Sequence, residues 1–311
     1  MSGGNVACMT RRSRTLFSAL LASLALAAAT PVASADFNPV TDWSAVLPSL
    51  SPAYDPADPN LCNSGNPQCV DLVAKEMTRR LQPLADSCSH NALFALLYLR
   101  VTDHVGDAVR TDGAFDDPRF ISHEDAVFAS YYFNAYDAWA KGDSAHTPGA
   151  WKIALDAARS KQVQGLGNLL LGMNAHINRD LPFVLYSIGL VAPDGSSRKP
   201  DHDAVNGVLY DAYDQAIAEG ARRFDSSLSQ YTGPTAADSG IQSVILWREL
   251  AWRNAERLAA ASTDAERATI AAQIEQAATA QAQLIKAAYS YAPLGSSASR
   301  DAFCAAHHND A

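Results

Sequence analysis

The sequence lacks an excess of basic residues. Among its 311 residues, 24 are Lys or Arg and 33 are Asp or Glu, which gives a formal net charge of -9. A nucleic-acid-binding protein usually carries a basic surface that neutralises phosphate groups. The charge balance therefore argues against nucleic acid as a partner. Long hydrophobic runs are also absent after residue 35. We expect no transmembrane segment once an export signal has been removed, since a spanning helix needs roughly 20 mostly apolar residues.

Several common catalytic motifs are missing too. The sequence contains no Gly-x-Ser-x-Gly elbow, no glycine-rich phosphate loop and no His-Glu-x-x-His pair. Each motif places a nucleophile, a phosphate cradle or a pair of zinc ligands in a defined local structure. Their absence argues against the enzyme classes that depend on them.

The first 35 residues have the pattern of an export signal. The cationic stretch Thr10–Phe17 precedes an Ala- and Leu-rich stretch, Ser18–Thr30, and then the small-residue pattern Val32–Ala35. This order predicts cleavage before Asp36 and a secreted or cell-envelope-associated protein. The pair Arg11–Arg12 is compatible with either Sec or twin-arginine export.

Four of the five cysteines lie after the predicted signal. In an oxidising compartment an even number suggests two disulfides, for which three pairings are possible. We favour Cys62 with Cys69, because the intervening segment is rich in turn-forming residues, and this leaves Cys88 with Cys304. A cysteine-based metal site is the less favoured alternative, since no Cys-x-x-Cys pair is present.

Apolar residues recur at helical spacing through most of the chain after residue 66. No segment alternates with period two for long enough to predict a strand. We therefore predict an all-α fold, a single multi-helix bundle of about eight helices with an irregular N-terminal arm. The predicted organisation is an export signal (1–35), the irregular arm (36–66), the all-α domain (67–305) and a flexible tail (306–311). Capping boxes predict helix starts at Ser122 and Thr263.

The segment from Gly165 to Pro182 combines three glycines with closely spaced polar residues. We expect one helix to end at Arg179 and the next to begin at Leu181. Four residues of the segment are spaced four apart and would share one helix face: Asn168, Gly172, His176 and Asp180. A His and an Asp at this spacing can bind one metal ion. In the structural alternative, the Asp caps the next helix and the His is a core residue bonded to a backbone carbonyl.

Two further histidines stand beside carboxylates at predicted helix starts. Both places also have a structural explanation, because acids favour the first turn of a helix through capping and the helix dipole. The predicted ligands of a divalent metal, with zinc as the first choice, are His176, Asp180, His202 and His123. The predicted catalytic residues are Arg179, which would stabilise negative charge on the substrate, and Asp203. The predicted ligand-binding residues are Asn174, Asn178 and Asn206.

The run Gly-Met-Asn-Ala-His-Ile-Asn-Arg-Asp-Leu-Pro at residues 172–182 resembles the hallmark of an uncharacterised, mainly actinobacterial family of helical proteins. Two other patterns support the resemblance: Tyr-Leu-Arg-Val-Thr at residues 98–102, and the pair His202-Asp203 ahead of Asn206. The resemblance covers residues 70–290. It implies a helical fold and no established activity.

A second resemblance is to the superfamily of zinc-dependent phospholipases C and single-strand nucleases, which are exported all-α enzymes. The run from Asn174 to Asp180 is similar to their Asn-Leu-His-x-x-Trp-Asp motif. This resemblance implies that His176 and Asp180 bind zinc. The sequence departs from that superfamily at the predicted mature N-terminus, which is Asp36 rather than Trp, and it lacks the Gly-Asp-x-His-Gln-Pro-x-His run.

Two functions are compatible with these features. In the first, the protein is an exported, metal-dependent hydrolase in which the metal lowers the pKa of a bound water for attack on an ester or phosphoester. In the alternative, it is a non-catalytic exported helical protein that binds an apolar ligand, a lipid or a cell-wall partner, and the polar residues of the 174–180 segment form a hydrogen-bonded core network.

Overall fold

A computed structural model of the chain describes residues 42–310. The predicted export signal and the first residues of the predicted arm lie outside this range. The described part contains ten α-helices and, apart from two isolated bridges, no β-structure. The predicted all-α bundle is therefore confirmed. No helix within residues 42–310 is long and apolar enough to cross a membrane.

The helices follow one another through short loops. In chain order they are α1 (Gln68–Asp86), α2 (Ala92–Ala108), α3 (Pro118–Ala140), α4 (Gly149–Arg159), α5 (Gly165–Met173), α6 (Leu181–Ile188), α7 (Lys199–Arg223), α8 (Pro234–Ala260), α9 (Asp264–Tyr289) and α10 (Ala298–His307). A π-helical segment, Asn174–Asp180, joins α5 to α6, and two 3-10 helices cover Trp43–Ala45 and Ser226–Tyr231.

Both predicted disulfides are present. Cys62–Cys69 joins the arm to the first turn of α1, and Cys88–Cys304 joins the loop after α1 to α10. The second bond closes a long loop, so it restricts the unfolded chain strongly and holds the C-terminal helix on the domain. The helix α10 continues to His307, two residues beyond the predicted end of the domain.

The arm before α1 is irregular and is fastened to α3. The Arg119 guanidinium donates to the carbonyl oxygens of Pro56 and Ser64 at 3.0 and 2.8 Å. Gly65 lies in the left-handed region with a φ of 65°, and a side chain there would collide with the Arg119 backbone. Glycine is therefore required where the arm crosses α3.

The start of α3 differs from the prediction. The helix begins at Pro118, and the Asp117 carboxylate caps it by accepting from the Phe120 amide at 3.0 Å. Ser122 lies inside the helix and donates to the Pro118 carbonyl. The Asp-Pro pair provides a cap and a favourable first helical residue, which outweighs the Ser122 box. The second predicted start is confirmed, because Thr263 accepts from the Glu266 amide at 3.1 Å.

The helices α5 and α6 form one continuous helix through the π-helical segment rather than the two separate helices that we predicted. This helix packs against α2, α4, α8 and α9, and α2 in turn packs against α1 and α7. The Gly165–Pro182 segment therefore passes through the centre of the bundle. Its glycines permit close packing: Gly172 faces the Phe94 side chain of α2.

We expect Gly172→Ala to destabilise the protein by about 1–3 kcal/mol, because overpacking forces neighbouring groups to move. The added Cβ would lie 2.9 Å from the Phe94 Cβ. Gly207→Ala is the matched control, since Gly207 is an exposed residue of α7 with open space around it. That change should raise stability by up to about 1 kcal/mol through helix propensity. Urea unfolding measures both effects, and equal stability of the two variants would contradict the prediction.

Candidate functional site

An apolar cavity of about 130 Å³ lies between α2, α3, the π-helical segment, α7 and α8. Valine, isoleucine, leucine, methionine, phenylalanine and tyrosine side chains form most of its wall. Four other residues reach the wall: Glu124, Asp125, His176 and Arg248. Burying a charged group in apolar surroundings costs free energy unless the group is paired or neutralised. The pairing and protonation of these four residues therefore define the chemistry of the site.

The π-helical segment provides the histidine of the site. A π-helix has i→i+5 hydrogen bonds and is rare, occurring mostly as single turns that are frequent at functional sites. At its end the Asp180 carboxylate is fully buried. It accepts from the Trp151 indole at 2.8 Å and from Arg179 at 2.8 Å. These two donors fix the carboxylate beside the imidazole of His176.

The two asparagines of the segment hold it against α9. The Asn174 amide donates to the Ala278 carbonyl at 2.9 Å, and the Asn178 amide donates to the Asn174 side-chain oxygen at 3.0 Å. Arg179 donates to Glu275 of the same helix at 2.6 Å. We predicted ligand binding for both asparagines and catalysis for Arg179. The structure instead engages all three side chains within the bundle, where they position the segment.

The imidazole of His176 lies among aromatic rings. It stacks on Phe128 with 3.5 Å between ring centroids and an angle of 4°, and the Tyr98 ring is 4.4 Å away. Its Nδ1 is 3.2 Å from the Asp180 carboxylate. Burial lowers the pKa of His176, and the Asp180 charge only partly opposes this effect. The ring is therefore neutral at pH 7 and donates its Nδ1 hydrogen to Asp180.

Two adjacent acids of α3 contribute to the cavity wall. Burial raises the pKa of Asp125 to about 8, and the neighbouring Glu124 adds to the shift. Burial also raises the pKa of Glu124 to about 7, although the positive charge of Arg248 opposes it. Near neutral pH, Asp125 is thus mostly a neutral carboxylic acid. Glu124 titrates in the same range.

Arg248 and His202 join α8 to α7. The Arg248 guanidinium donates to the Asn206 side chain at 2.9 Å and to Nδ1 of His202 at 3.2 Å. The Nε2 of His202 faces the Arg248 carbonyl at 3.4 Å. Both ring nitrogens are therefore engaged. Burial lowers the pKa of His202 well below its ordinary value, so the ring is neutral.

The four predicted metal ligands do not converge. Both ring nitrogens of His123 face backbone carbonyls of the arm, at 2.9 Å for Cys62 and 3.0 Å for Pro52. His202 is bound to Arg248, and the Asp180 oxygens are occupied by Trp151 and Arg179. Within residues 42–310 no cluster of three or more His, Cys, Asp or Glu side chains could hold a metal ion. His176 keeps one ring nitrogen without a partner, but His123, His202 and Asp180 are bound elsewhere, so these donors do not fit a zinc site.

The predicted catalytic Asp203 also lies apart from the cavity. Its carboxylate accepts from the Lys199 ammonium at 2.8 Å and its side chain is about half exposed. It does not belong to the cavity wall. Its neighbour Asn206 reaches the site only through Arg248.

Sequence reasoning identified His176 and the tyrosine pattern at residue 98 but missed most of the cavity wall. Asp125, Phe128 and Arg248 were not assigned to a site. A signal for the first two existed, because they lie one turn apart on one face of a largely apolar helix. Arg248 had no such signal, because α8 also contains Arg253 and Arg257. Its inward direction depends on packing with α7.

The fold and site define an all-α protein built around an apolar cavity with a small set of buried polar groups. The chain belongs to DUF5995, a family of unknown function, whose profile matches residues 70–288. The match is consistent with the expectation of an uncharacterised family. Comparison with curated proteins and with solved structures finds no match.

The raised pKa of Asp125 predicts a stability difference that depends on pH. Because the folded protein binds the proton more tightly than the unfolded chain, the contribution of this group is lost as pH rises from about 4 through about 8. Asp125→Asn keeps the shape and remains neutral. We expect its free energy of unfolding, relative to the wild type, to increase over this range by at least about 1 kcal/mol, since one pKa unit corresponds to about 1.4 kcal/mol.

The control for this prediction is Asp203→Asn, because Asp203 is exposed and paired only at the surface. Its stability relative to the wild type should stay constant between about pH 6 and about pH 9. Chemical unfolding at several pH values provides the comparison. A constant difference for Asp125→Asn would contradict the assignment of a buried, neutral acid.

Proposed function

We propose that this protein binds a small, mostly apolar molecule in the cavity between α2, α3, α7 and α8. The observation that carries the proposal is the cavity itself, with its aliphatic and aromatic wall. Binding pockets for small molecules are typically concave and apolar, with a few polar groups that fix orientation. The proposal corresponds to the apolar-ligand alternative of the sequence analysis.

The cavity size supports a ligand of about the size of an aromatic ring. Its volume of about 130 Å³ is close to that of an engineered apolar cavity of about 150 Å³ that binds benzene. Protein interiors are close-packed, and the atoms that line unfilled space lack contacts on one side. A ligand that fills it recovers contacts with the wall.

Binding is better supported than the metal-dependent hydrolysis predicted from the sequence. Three of the four predicted metal ligands, His123, His202 and Asp180, have separate partners, as described above. The hydrolase stays a prediction from the 174–180 motif alone. Export also stays a proposal, and the two disulfides support it because such bonds persist in oxidising compartments.

Filling the cavity with a side chain tests the proposal. Val244 is a buried residue of the cavity wall, so Val244→Phe should occupy much of the space that a ligand needs. We expect toluene to raise the Tm of the wild type and to leave that of the variant unchanged, because a ligand that binds only the folded state stabilises it. Differential scanning calorimetry with increasing toluene measures both.

Val191→Phe is the matched control, since Val191 is exposed and lies outside the cavity wall. It should respond to toluene like the wild type. Ile241→Phe, at a second position of the wall, repeats the test if Val244→Phe does not fold. A wild type whose Tm toluene does not change, or cavity-filled variants that respond equally, would overturn the proposed function.

A further inference from the structure

Unpartnered polar atoms are concentrated at the cavity. Within residues 42–310, six buried side-chain nitrogen or oxygen atoms make no hydrogen bond to the protein. Three of them belong to residues of the cavity wall: Tyr98 Oη, Asp125 Oδ2 and His176 Nε2. A buried polar atom without a partner costs roughly 1–3 kcal/mol, so three in one small cavity point to a ligand group that bonds to them.

The Nε2 atom of His176 is a hydrogen-bond acceptor. Asp180 accepts the Nδ1 hydrogen of His176, and the neutral imidazole has only one hydrogen. The Nε2 atom therefore carries a lone pair. A ligand that bonds to it must donate a hydrogen.

The other two atoms can donate. Burial holds the pKa of Tyr98 well above its ordinary value, and the negative charge of nearby Asp125, when ionised, raises it further. Asp125 itself keeps its proton near neutral pH, since its pKa is raised to about 8. The phenol and the carboxylic acid each have a hydrogen to give. A ligand that satisfies both must accept.

A hydroxyl group matches this combination of one acceptor and two donors, because it has one hydrogen and two lone pairs. We propose that the ligand is a small apolar alcohol or phenol whose hydroxyl donates to His176 Nε2 and accepts from Tyr98 and Asp125. This inference rests on the proposed function and names its ligand class. The aromatic rings of Phe94 and Phe128 then surround the apolar part of the ligand.

Other polar groups fit the wall less well. A carboxylate would place an anion beside Glu124 and Asp125, and the Arg248 guanidinium already binds Asn206 and His202. An aldehyde or ketone has no hydrogen for His176. An ammonium group could pair with the two acids, but the buried Arg248 cation lies in the same wall and disfavours a second positive charge.

Four probes that share a benzene ring and differ in the attached group test the inference: benzyl alcohol, ethylbenzene, benzylamine and benzoate. Isothermal titration calorimetry of the disulfide-bonded protein at pH 7 measures their affinities. We expect benzyl alcohol to bind about tenfold more tightly than ethylbenzene, which has nearly the same shape and makes no hydrogen bond. Benzylamine and benzoate should bind more weakly than the alcohol.

Tyr98→Phe removes one partner of the hydroxyl without changing the ring. We expect it to weaken benzyl alcohol binding about three- to tenfold and to change ethylbenzene binding less than twofold. The matched control is Tyr131→Phe, since Tyr131 lies on the same helix as Asp125 but outside the cavity wall. It should leave both affinities unchanged.

The outcomes separate this inference from the proposed function. Equal affinity for benzyl alcohol and ethylbenzene would leave an apolar binding site and overturn the hydroxyl assignment. Tighter binding of benzylamine would also overturn it and assign a cation to the two acids. An unchanged alcohol affinity in Tyr98→Phe would remove this tyrosine from the site and contradict the inference. If no probe binds, the proposed function fails, and the ligand class fails with it.

Discussion

The structure depends on one buried carboxylate, Asp180. A carboxylate without contact with water must be satisfied by donors of the protein, and Trp151, Arg179 and His176 supply them. Trp151 belongs to α4 and the other two donors to the π-helical segment itself, so these bonds fix the end of that segment and the orientation of the imidazole together. Replacing any donor would leave the buried Asp180 charge with too few hydrogen bonds. This loss is far more costly in stability than the loss of a surface contact.

This arrangement determines the character of the cavity. Because Asp180 holds the Nδ1 side of His176, the other nitrogen has no partner within the protein, and its residue lines a mostly apolar wall. The same apolar surroundings keep Asp125 protonated near neutral pH. His176 Nε2 is thus an acceptor, whereas Tyr98 and protonated Asp125 can donate. None of these three side chains carries a full charge at pH 7, and the charge in the wall comes from Arg248 and, as it titrates, from Glu124.

Much of the architecture could be predicted from the sequence, because helical periodicity, the turn-rich segment between Cys62 and Cys69 and the Thr263 cap are local signals. The long-range pair Cys88–Cys304 followed by elimination. The importance of the 172–182 run was also visible in its unusual composition. Its π-helical geometry was not, since the same residues are compatible with an ordinary α-helix. The wrong start of α3 shows a competition between two local caps, Asp117 and Ser122, in which the Asp-Pro pair forms the cap.

The site itself was harder to predict from the sequence, because it depends on which residues distant in the chain come into contact. His123 and His202 resemble metal ligands in the sequence, but the arm and α8 provide partners for both ring nitrogens of each. The account is tested most directly by the ¹⁵N chemical shifts of His176, measured at pH 7 and assigned with His176→Gln. It predicts a hydrogen on Nδ1 and none on Nε2. A hydrogen on Nε2, or on both nitrogens, would contradict it.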